Sequence, residues 1–477
     1  MTDLSAFYKA VDDNAELYID RLAKAVAIPS VSADPAHRKD VFAMADYLEG
    51  QMKSLGITTE SRKNPLGKQA GTSMDLPPIL LGTYGTDPAK KTVLVYGHYD
   101  VQPASLEDGW NTDPFVLTQD DKTDRMFGRG STDDKGPVLG WLNAIEAYKK
   151  AGIDFPVNLQ CCFEGMEEYG SEGLDELIHA EAKEYFKKAD CVCISDNYWL
   201  GEKKPCLTYG LRGVSYFNVV ISGPGADLHS GVFGGLVQEP MTDLIHLFSK
   251  LVAPDGKILI PGIYDQVSEL SEKEQALYKN IDFTLEELQD AIGSKTNLKE
   301  TVAESLMARW RYPSLSLHGI EGAFSQAGAK TVIPAKVQGK FSIRTVPDMT
   351  TDNTAKITLD FLNKTFEGLG SKNTIKVEML HAGKPWYSNP DHWNFRAAAA
   401  ATKSVHGVDP DLTREGGSIP VTITFEEALG KNVCLLPMGQ STDAAHSINE
   451  KLNRRNYIEG TKVLGAYLYE ISRSDMK

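Results

Sequence analysis

Cysteine is scarce in this sequence, and it never occurs in the close pairs that form zinc sites or disulfide frameworks. There are six cysteines in 477 residues, with no Cys-x-x-Cys pair. Cys161, Cys162, Cys191 and Cys193 lie in apolar runs that are typical of interior strands. Disulfide-stabilised domains are small and rich in cysteine, unlike this chain. We therefore expect buried free thiols and a reducing compartment.

Positive charge is outnumbered by negative charge, and long apolar runs are absent. The net charge is −15 with no basic stripe, which argues against the phosphate backbone of a nucleic acid as a partner. No apolar run approaches the ~20 residues of a membrane span. The first residues, MTDLSAFYKAVDDNAELY, lack the basic start and apolar core of a signal peptide. We expect a cytoplasmic protein with neither nucleic acid nor membrane as a partner.

Short apolar runs alternate with helical patterns in the first part of the chain. The runs KTVLVYG, FPVNLQCCFEG and ADCVCISDN are predicted strands. Between the first two, KGPVLGWLNAIEAYKKAG is a predicted helix, capped near its start by Ser131 or Thr132 and ended by Gly152. Continuous apolar strands between helices indicate a sheet covered on both faces, and hence an α/β fold.

The pattern changes from about Leu211 onward. Alternating strands and two helical segments follow in the order β-α-β-β-α-β, interrupted by a charged helical insert at Ser268–Met307. That order is the split βαβ arrangement of a ferredoxin-like α+β domain. A chain of this length favours more than one domain. We expect a discontinuous α/β domain at 1–210 and 385–477, interrupted by a smaller α+β domain at 211–384.

Acidic residues and histidines follow the predicted strands or begin a helix. They are His98 and Asp100 in GHYDVQP, Asp133 and Asp134 in GRGSTDDKGP, Glu164, Glu167 and Glu168 in FEGMEEYGSEG, Asp196 in VCISDN, and Asp443 and His446 in STDAAHS. In open α/β sheets ligands bind at the carboxyl ends of the strands, so these loops are expected to converge. Each residue alone has an ordinary alternative, such as a surface histidine, a turn acid or an acid at a helix start. Together they favour a metal site.

Two of these patterns suggest specific chemistry. His98 and Asp100 project to the same side of an extended chain, which suits a metal-bound imidazole held by a carboxylate. Adjacent carboxylates about 4 Å apart repel by ~4 kcal/mol at an effective dielectric near 20. Glu167 and Glu168 must therefore either face water or lie beside positive charge.

Six motifs carry a resemblance to a known family: GHYDVQP, GRGSTDDKGP, EGMEEYGSEGL, ISDNYWLG, HSGVFGG and AAHS. They resemble the M20 family of di-zinc metallopeptidases, and more narrowly its cytosolic nonspecific dipeptidase branch, which includes Cys-Gly and carnosine dipeptidases. The likeness runs nearly end to end. It implies a catalytic mixed-sheet domain of the zinc-peptidase type, interrupted by a lid and dimerisation domain, and hence a homodimer.

The resemblance also implies roles for the acidic loops. One metal takes His98 and Asp196, the other takes Glu168 and His446, and Asp133 bridges them. Mixed nitrogen and oxygen ligands suit two Zn²⁺ ions, although Mn²⁺ also accepts a carboxylate-rich set.

The remaining members of the expected site act on the water or on the substrate. Glu167 is the expected general base for a metal-bridging water, and Asp100 orients His98. Asp134 and Glu164 are interpreted as structural, as a helix cap and a solvated turn.

A second set of residues is implied to contact the substrate. His229, in the lid segment, is implied to stabilise the oxyanion in the partner subunit, and a loop histidine is the ordinary alternative. Arg344, together with Thr331, Ser418 and His381, resembles the set that holds the carboxylate and backbone of the substrate. An arginine paired with a structural acid is the alternative for Arg344.

These observations favour a metal-dependent dipeptidase acting on dipeptides such as Cys-Gly, in glutathione breakdown. An M20 amidohydrolase that removes acyl groups from amino acids would use the same metals. A metal-free descendant acting as a binding subunit is a third possibility, against which the complete ligand set argues.

Overall fold

A computed structural model describes residues 4–120, 122–417 and 419–475. The helices in this part of the chain are α1 (Ser5–Asp13), α2 (Ala15–Val26), α3 (Arg38–Ser54), α4 (Lys135–Ala151), α5 (Leu174–Glu181), α6 (Ser230–Phe233), α7 (Pro240–Phe248), α8 (Glu272–Asn280), α9 (Leu285–Ile292), α10 (Val302–Trp310), α11 (Thr351–Leu369), α12 (Trp393–His406), α13 (Pro420–Leu429) and α14 (Arg454–Arg473). The strands are β1 (Thr58–Arg62), β2 (Ile79–Tyr84), β3 (Thr92–His98), β4 (Thr118–Asp120), β5 (Arg125–Phe127), β6 (Asn158–Glu164), β7 (Cys191–Ile194), β8 (Tyr198–Trp199), β9 (Cys206–Leu211), β10 (Gly213–Ser222), β11 (Leu228–His229), β12 (Ser314–Glu321), β13 (Val332–Ile333), β14 (Lys336–Thr345), β15 (Thr374–Gly383), β16 (Trp386–Tyr387), β17 (Asp411–Glu415), β18 (Val433–Leu435), β19 (Gly439–Gln440) and β20 (Lys451–Asn453).

These elements form two compact units. The first contains the chain up to Tyr209, the segment Ser388–Thr413 and the chain from Val421 onward. The second contains Gly210–Tyr387 and Arg414–Pro420. A mixed α/β architecture is what the sequence predicted for the larger part of the chain.

The first unit is built on a mixed sheet with the strand order β1-β2-β6-β3-β7-β18-β9. The pairs β6·β3, β3·β7 and β7·β18 are parallel, and the outer pairs β1·β2, β2·β6 and β18·β9 are antiparallel. Every residue of β3, β6 and β7 is buried, as the continuous apolar runs predict. The central strands therefore end together at one edge of the sheet.

Helix α4 packs against β3 and the C-terminal helix α14. It ends as predicted, because Gly152 adopts the left-handed conformation with φ 65° and closes the last turn. The prediction of a cap by Ser131 or Thr132 is wrong. The N-cap position is Asp134, which makes no side-chain capping bond, and the Thr132 hydroxyl donates instead to Asp443 at 2.8 Å.

The second unit contains a four-stranded antiparallel sheet in the order β12-β14-β10-β15. Helices α7 and α11 pack on it, and their buried leucines meet the stacked rings of Phe217 and Phe341. The predicted β-α-β-β-α-β order is confirmed, with α8, α9 and α10 as the charged insert.

All six cysteines are buried, as predicted, and the described part of the chain contains no disulfide. Within the described residues, no helix combines the length and apolar character needed to cross a membrane.

Candidate metal centre

The carboxyl ends of β3, β6 and β7 bring the predicted polar residues to one edge of the sheet. His98 ends β3 and lies opposite Glu164, which ends β6. Tyr96 of β3 lies opposite Ile194, the last residue of β7, and Asp196 follows two residues later. The parallel register thus carries a histidine and two acids to the same edge.

His98, Asp133 and Asp196 form the first donor group. His98 Nε2 lies 3.1 Å from Asp133 Oδ1 and 3.8 Å from Asp196 Oδ1. All three side chains are buried. Their nitrogen and oxygen atoms lie within 4.8 Å of one another, which is close enough to share one metal ion.

Asp133, Glu168 and His446 form the second donor group. His446 Nε2 lies 3.1 Å from Asp133 Oδ2 and 3.0 Å from Glu168 Oε2. The two oxygens of Asp133 therefore face different groups, Oδ1 toward His98 and Oδ2 toward His446. This is the arrangement that a carboxylate bridging two metal ions requires.

The chemistry of the donors fits divalent cations. Burial raises the pKa of the Glu168 and Asp196 carboxyls, and the charge of Asp133 raises it further. The two groups contain three buried carboxylates and two histidines, so their negative charge exceeds their positive charge. A bound metal ion would supply the missing positive charge. Imidazole and carboxylate ligands without thiolate suit Zn²⁺ and also Mn²⁺.

Asp100 connects the two ligand-bearing loops. Its carboxylate oxygen lies 3.4 Å from His98 Nδ1, and its backbone oxygen lies 3.1 Å from the same nitrogen. The carboxylate also accepts the backbone N–H groups of Glu167 at 3.2 Å and Glu168 at 3.0 Å. Asp100 therefore fixes the His98 ring and the short 3-10 turn Glu167–Tyr169 together.

Glu167 adjoins both donor groups and belongs to neither. Burial raises the pKa of its carboxyl well above the ordinary value, and the His98 ring opposes that rise. The charges of Asp196, Glu168 and Asp133 raise the pKa further. A carboxyl beside both donor groups is placed to exchange a proton with a group bound there.

The interpretations of Glu164 and Asp134 are wrong in part. Glu164 is not in a solvated turn: it is 2% exposed and accepts the Tyr96 hydroxyl at 2.8 Å. Burial and the charge of Asp100 raise the pKa of its carboxyl to about 7. Asp134 occupies the cap position without capping, because its carboxylate accepts the backbone N–H of His98 at 3.2 Å. Both acids support the strand end at His98.

Gln102 and Glu450 are contacts that the sequence reasoning missed. Gln102 Nε2 donates to Glu168 Oε2 at 2.9 Å. Its place in HYDVQP, two residues past Asp100, is the signal that could have revealed it. Glu450 is fully buried and accepts the backbone N–H of Asp133 at 3.2 Å. Asp443, by contrast, forms a buried ion pair with Lys451 at 2.5 Å.

The expected substrate residues that the structure describes belong to the second unit. Arg344 lies on β14 opposite Val214 and Ser314, and burial lowers the pKa of its guanidinium. In the described ranges Arg344 has no ion pair with an acid, so the alternative of a structural pair is not realised there.

His229, Thr331 and His381, the other expected substrate residues that the structure describes, are exposed. The His229 ring accepts the backbone N–H of Gly231 at 3.0 Å. Thr331 accepts the backbone N–H of Ser230 through its carbonyl at 3.1 Å, and His381 stacks on Tyr216 at 5.2 Å. Ser418 lies outside the described residues.

Residues 94–470 match the peptidase family M20/M25/M40. The chain belongs to this family. It is 58% identical over 469 residues to the Cys-Gly metallodipeptidase dug1 of Schizosaccharomyces pombe, covering 98% of each chain. It is 44% identical to the Beta-Ala-His dipeptidase of Mus musculus, covering 98% of this chain and 96% of that one.

A solved structure of the dipeptidase Dug1p from Saccharomyces cerevisiae has the same fold. It is 54% identical, with a TM-score of 0.90 and 99% of both chains covered. The first-unit loops described above thus belong to a fold that is known in a dipeptidase.

Proposed function

We propose that this protein is a metal-dependent dipeptidase that hydrolyses the peptide bond of dipeptides such as Cys-Gly. The observation that carries the proposal is the pair of donor groups joined by Asp133, with Glu167 beside both. The names of the relatives, Cys-Gly metallodipeptidase and Beta-Ala-His dipeptidase, support the substrate class.

The proposed cofactors are two divalent ions per chain, Zn²⁺ or Mn²⁺. His98 and Asp196 would hold one, Glu168 and His446 would hold the other, and Asp133 would be shared. When bound, the ions polarise the scissile carbonyl and lower the pKa of the attacking water.

Glu167 is the proposed general base. Its carboxylate accepts a proton as the water oxygen bonds to the carbonyl carbon. It returns that proton to the amine nitrogen as the carbon–nitrogen bond breaks. Asp100 keeps the His98 ring oriented and holds the Glu167 backbone through the N–H at 3.2 Å.

Arg344 is the proposed partner of the substrate carboxylate, together with Thr331, Ser418 and His381. A guanidinium matches a carboxylate with two parallel hydrogen bonds, and Arg344 has no acidic partner of its own in the described chain. A carboxylate held one residue past the scissile bond would limit cleavage to dipeptides.

We also propose a homodimer formed by the second unit, the lid and dimerisation domain, with His229 stabilising the oxyanion in the partner's site. The segment after His229 is apolar and open, with Val232 60% exposed and Leu236 76% exposed. Such side chains suit a twofold contact.

The proposed setting is glutathione breakdown in the cytoplasm. Six buried cysteines outside any disulfide of the described residues suit a reducing compartment. Cys-Gly as a substrate rests on the printed names of the fungal relatives.

A chelator and a substrate panel test the proposal together. Activity on Cys-Gly should disappear on chelation and return with Zn²⁺ or Mn²⁺, and peptides with a blocked amino end or extra residues should resist cleavage. Faster hydrolysis of N-acyl amino acids would favour an amidohydrolase. No hydrolysis of any member, with metal bound, would favour a binding subunit.

A further inference from the structure

A buried ion pair contacts the loops of the second donor group, although neither of its residues is a metal donor. Arg129 Nη1 and Glu450 Oε2 are 2.7 Å apart, and their side chains are 4% and 0% exposed. Burying two charges is unfavourable unless further hydrogen bonds satisfy them. The remaining polar atoms of this pair therefore need hydrogen-bond partners.

Glu450 holds the peptide that carries the shared ligand. Its Oε1 accepts the backbone N–H groups of Thr132 at 3.1 Å and Asp133 at 3.2 Å. The backbone of Glu450 is fixed in turn, because its carbonyl accepts the N–H of Gly128 at 2.9 Å. The Asp133 loop is thus attached to the segment just after His446.

Arg129 contacts the segment of His446 and the loop that carries Gln102. Its Nη2 donates to the Ser447 carbonyl at 3.1 Å, adjacent to His446, and to the Pro103 carbonyl at 3.3 Å. Pro103 follows Gln102, whose amide holds Glu168. The guanidinium is also packed 5.2 Å from the Trp110 ring centroid, which restricts its movement.

The His446 turn needs such support more than the first group does. His446 has φ 60°, a left-handed conformation that is uncommon for a residue other than glycine. Conformations of this kind persist where surrounding contacts determine them. His98, by contrast, is the last residue of β3, and that strand has a parallel partner on each side, β6 and β7.

We infer that Glu450 and Arg129 are positioning residues that selectively set the metal affinity of the Asp133–Glu168–His446 group. This inference rests on the metal centre proposed above and adds an asymmetry to it. The first group is held by the ion pair mainly through the shared Asp133, while its His98 ends a sheet strand; the second group is linked to the pair through Asp133, through Ser447 beside His446, and through the loop of Gln102, which holds Glu168.

The test is metal binding by Glu450→Gln, measured as zinc per chain by equilibrium dialysis over a series of buffered free Zn²⁺ concentrations. The variant keeps the size of the side chain and removes its charge. We expect the second ion to bind about 10–100-fold more weakly, the usual effect of losing an outer contact, and the first ion, affected through Asp133 alone, to weaken clearly less. His446→Ala, which lacks a ligand of the second group, gives the reference for loss of that site.

Glu146→Gln is the matched control. It breaks a largely buried pair between α2 and α4, in which Arg21 Nη2 lies 2.5 Å from Glu146 Oε2 and the side chains are 9% and 15% exposed. The other polar partners of these side chains are Gln51, Asn143 and Lys150, none of which lies in a ligand loop, and both zinc affinities should remain unchanged.

Suppose that the wild-type protein binds two ions. If Glu450→Gln then weakens the binding of both ions equally, or of neither, the inference is overturned and the proposed function stands. A wild-type protein that binds no zinc or manganese would overturn the proposed function itself. If Glu450→Gln does not fold by circular dichroism, Arg129→Lys takes its place. That variant keeps the charge but loses the second arm that contacts Ser447 and Pro103, and the same selective weakening is expected.

Discussion

Two adjacent glutamates have different surroundings in this protein. Glu168 lies 3.0 Å from His446 and receives a hydrogen bond from Gln102. Glu167 is outside both donor groups, although burial raises the pKa of its carboxyl as it does for Glu168. The two neighbouring acids need not repel each other, because Glu168 is placed to bind a metal ion and Glu167 can carry a proton.

Glu167→Gln should separate these two properties. The amide keeps the shape of the side chain and cannot accept the proton, so kcat should fall by at least ~10²-fold. Metal content should stay at the wild-type value, because Glu167 belongs to neither donor group. Steady-state kinetics with elemental analysis of the same sample checks both, and Glu168→Gln is the control that should lose metal. A Glu167→Gln protein that lost metal along with activity would make Glu167 a ligand instead.

At the scale of residues, the sequence pointed to the residues of the two donor groups more readily than to the residues that hydrogen-bond to them. His98 and Asp196 could be found because each lies at or just after the end of an apolar strand, where a parallel sheet gathers its loops. Glu164 was misjudged because a strand-end acid normally faces water, and only the tertiary structure brings the Tyr96 hydroxyl to it. Glu450 carries no local signal, since its partners lie more than 300 residues away.

At the scale of elements, β3 and the start of α4 approach each other closely at Gly97. A Cβ atom added there would lie 2.5 Å from Val138 Cγ2 and 2.6 Å from Asp134 Oδ2. The helix can therefore reach the strand end, and Asp134 can accept the N–H of His98, because Gly97 has no side chain.

Gly97→Ala should push the first turn of α4 away from His98. The overpacking should lower the free energy of unfolding by about 1–3 kcal/mol. Metal affinity should fall as well, because Asp133 precedes that turn. Urea unfolding and metal analysis measure the two effects.

Gly50→Ala is the control for Gly97→Ala. It lies inside α3, its added Cβ would meet nothing within 4 Å, and it should stabilise the helix by up to about 1 kcal/mol. A Gly97→Ala protein as stable as Gly50→Ala would show that the strand and helix can separate freely.

Helix and strand positions followed from the sequence, while the contacts at their ends did not. Gly152 was predicted to end α4 because a left-handed glycine is a local requirement. The start of α4 depends on partners far along the chain, since Thr132 bonds Asp443 rather than the helix. A local sequence pattern therefore predicts a feature that depends on one segment, such as a glycine that ends a helix, but not a contact between distant segments.

At the scale of the whole molecule, the proposed dimer can be tested by complementation. If His229 acts in the partner's site, inactive His229→Ala chains mixed with inactive Glu167→Gln chains should recover activity. In a mixed dimer the site with intact Glu167 receives an intact His229 from the other chain. Random reassortment should restore about a quarter of the wild-type activity. Proven subunit exchange without any recovery would place His229 in its own chain's site or in a structural role.

The donor groups also connect metal binding to stability of the whole fold. Burial raises the pKa of Glu168 and Asp196, so their ionisation is easier in the unfolded chain and rising pH favours unfolding. Hydrogen bonds to Asp133 and Glu168 raise the pKa of His446 to about 11. The stability from protonated His446 is fully present at low pH and is lost as the pH rises toward that value. Both effects destabilise the metal-free protein as the pH rises.

Metal binding should reverse this trend, which gives the last prediction. The ions need deprotonated ligands, so their affinity increases with pH, and they stabilise the folded state by mass action. The difference in Tm between metal-loaded and chelated protein should therefore widen between about pH 5.5 and pH 8, where free imidazoles lose their proton and free carboxyls are already ionised. Differential scanning calorimetry at several pH values measures it. His446→Ala, which lacks one of the titrating ligands, should show a smaller widening. A difference that stays constant or narrows with pH would mean that these side chains do not bind the metal.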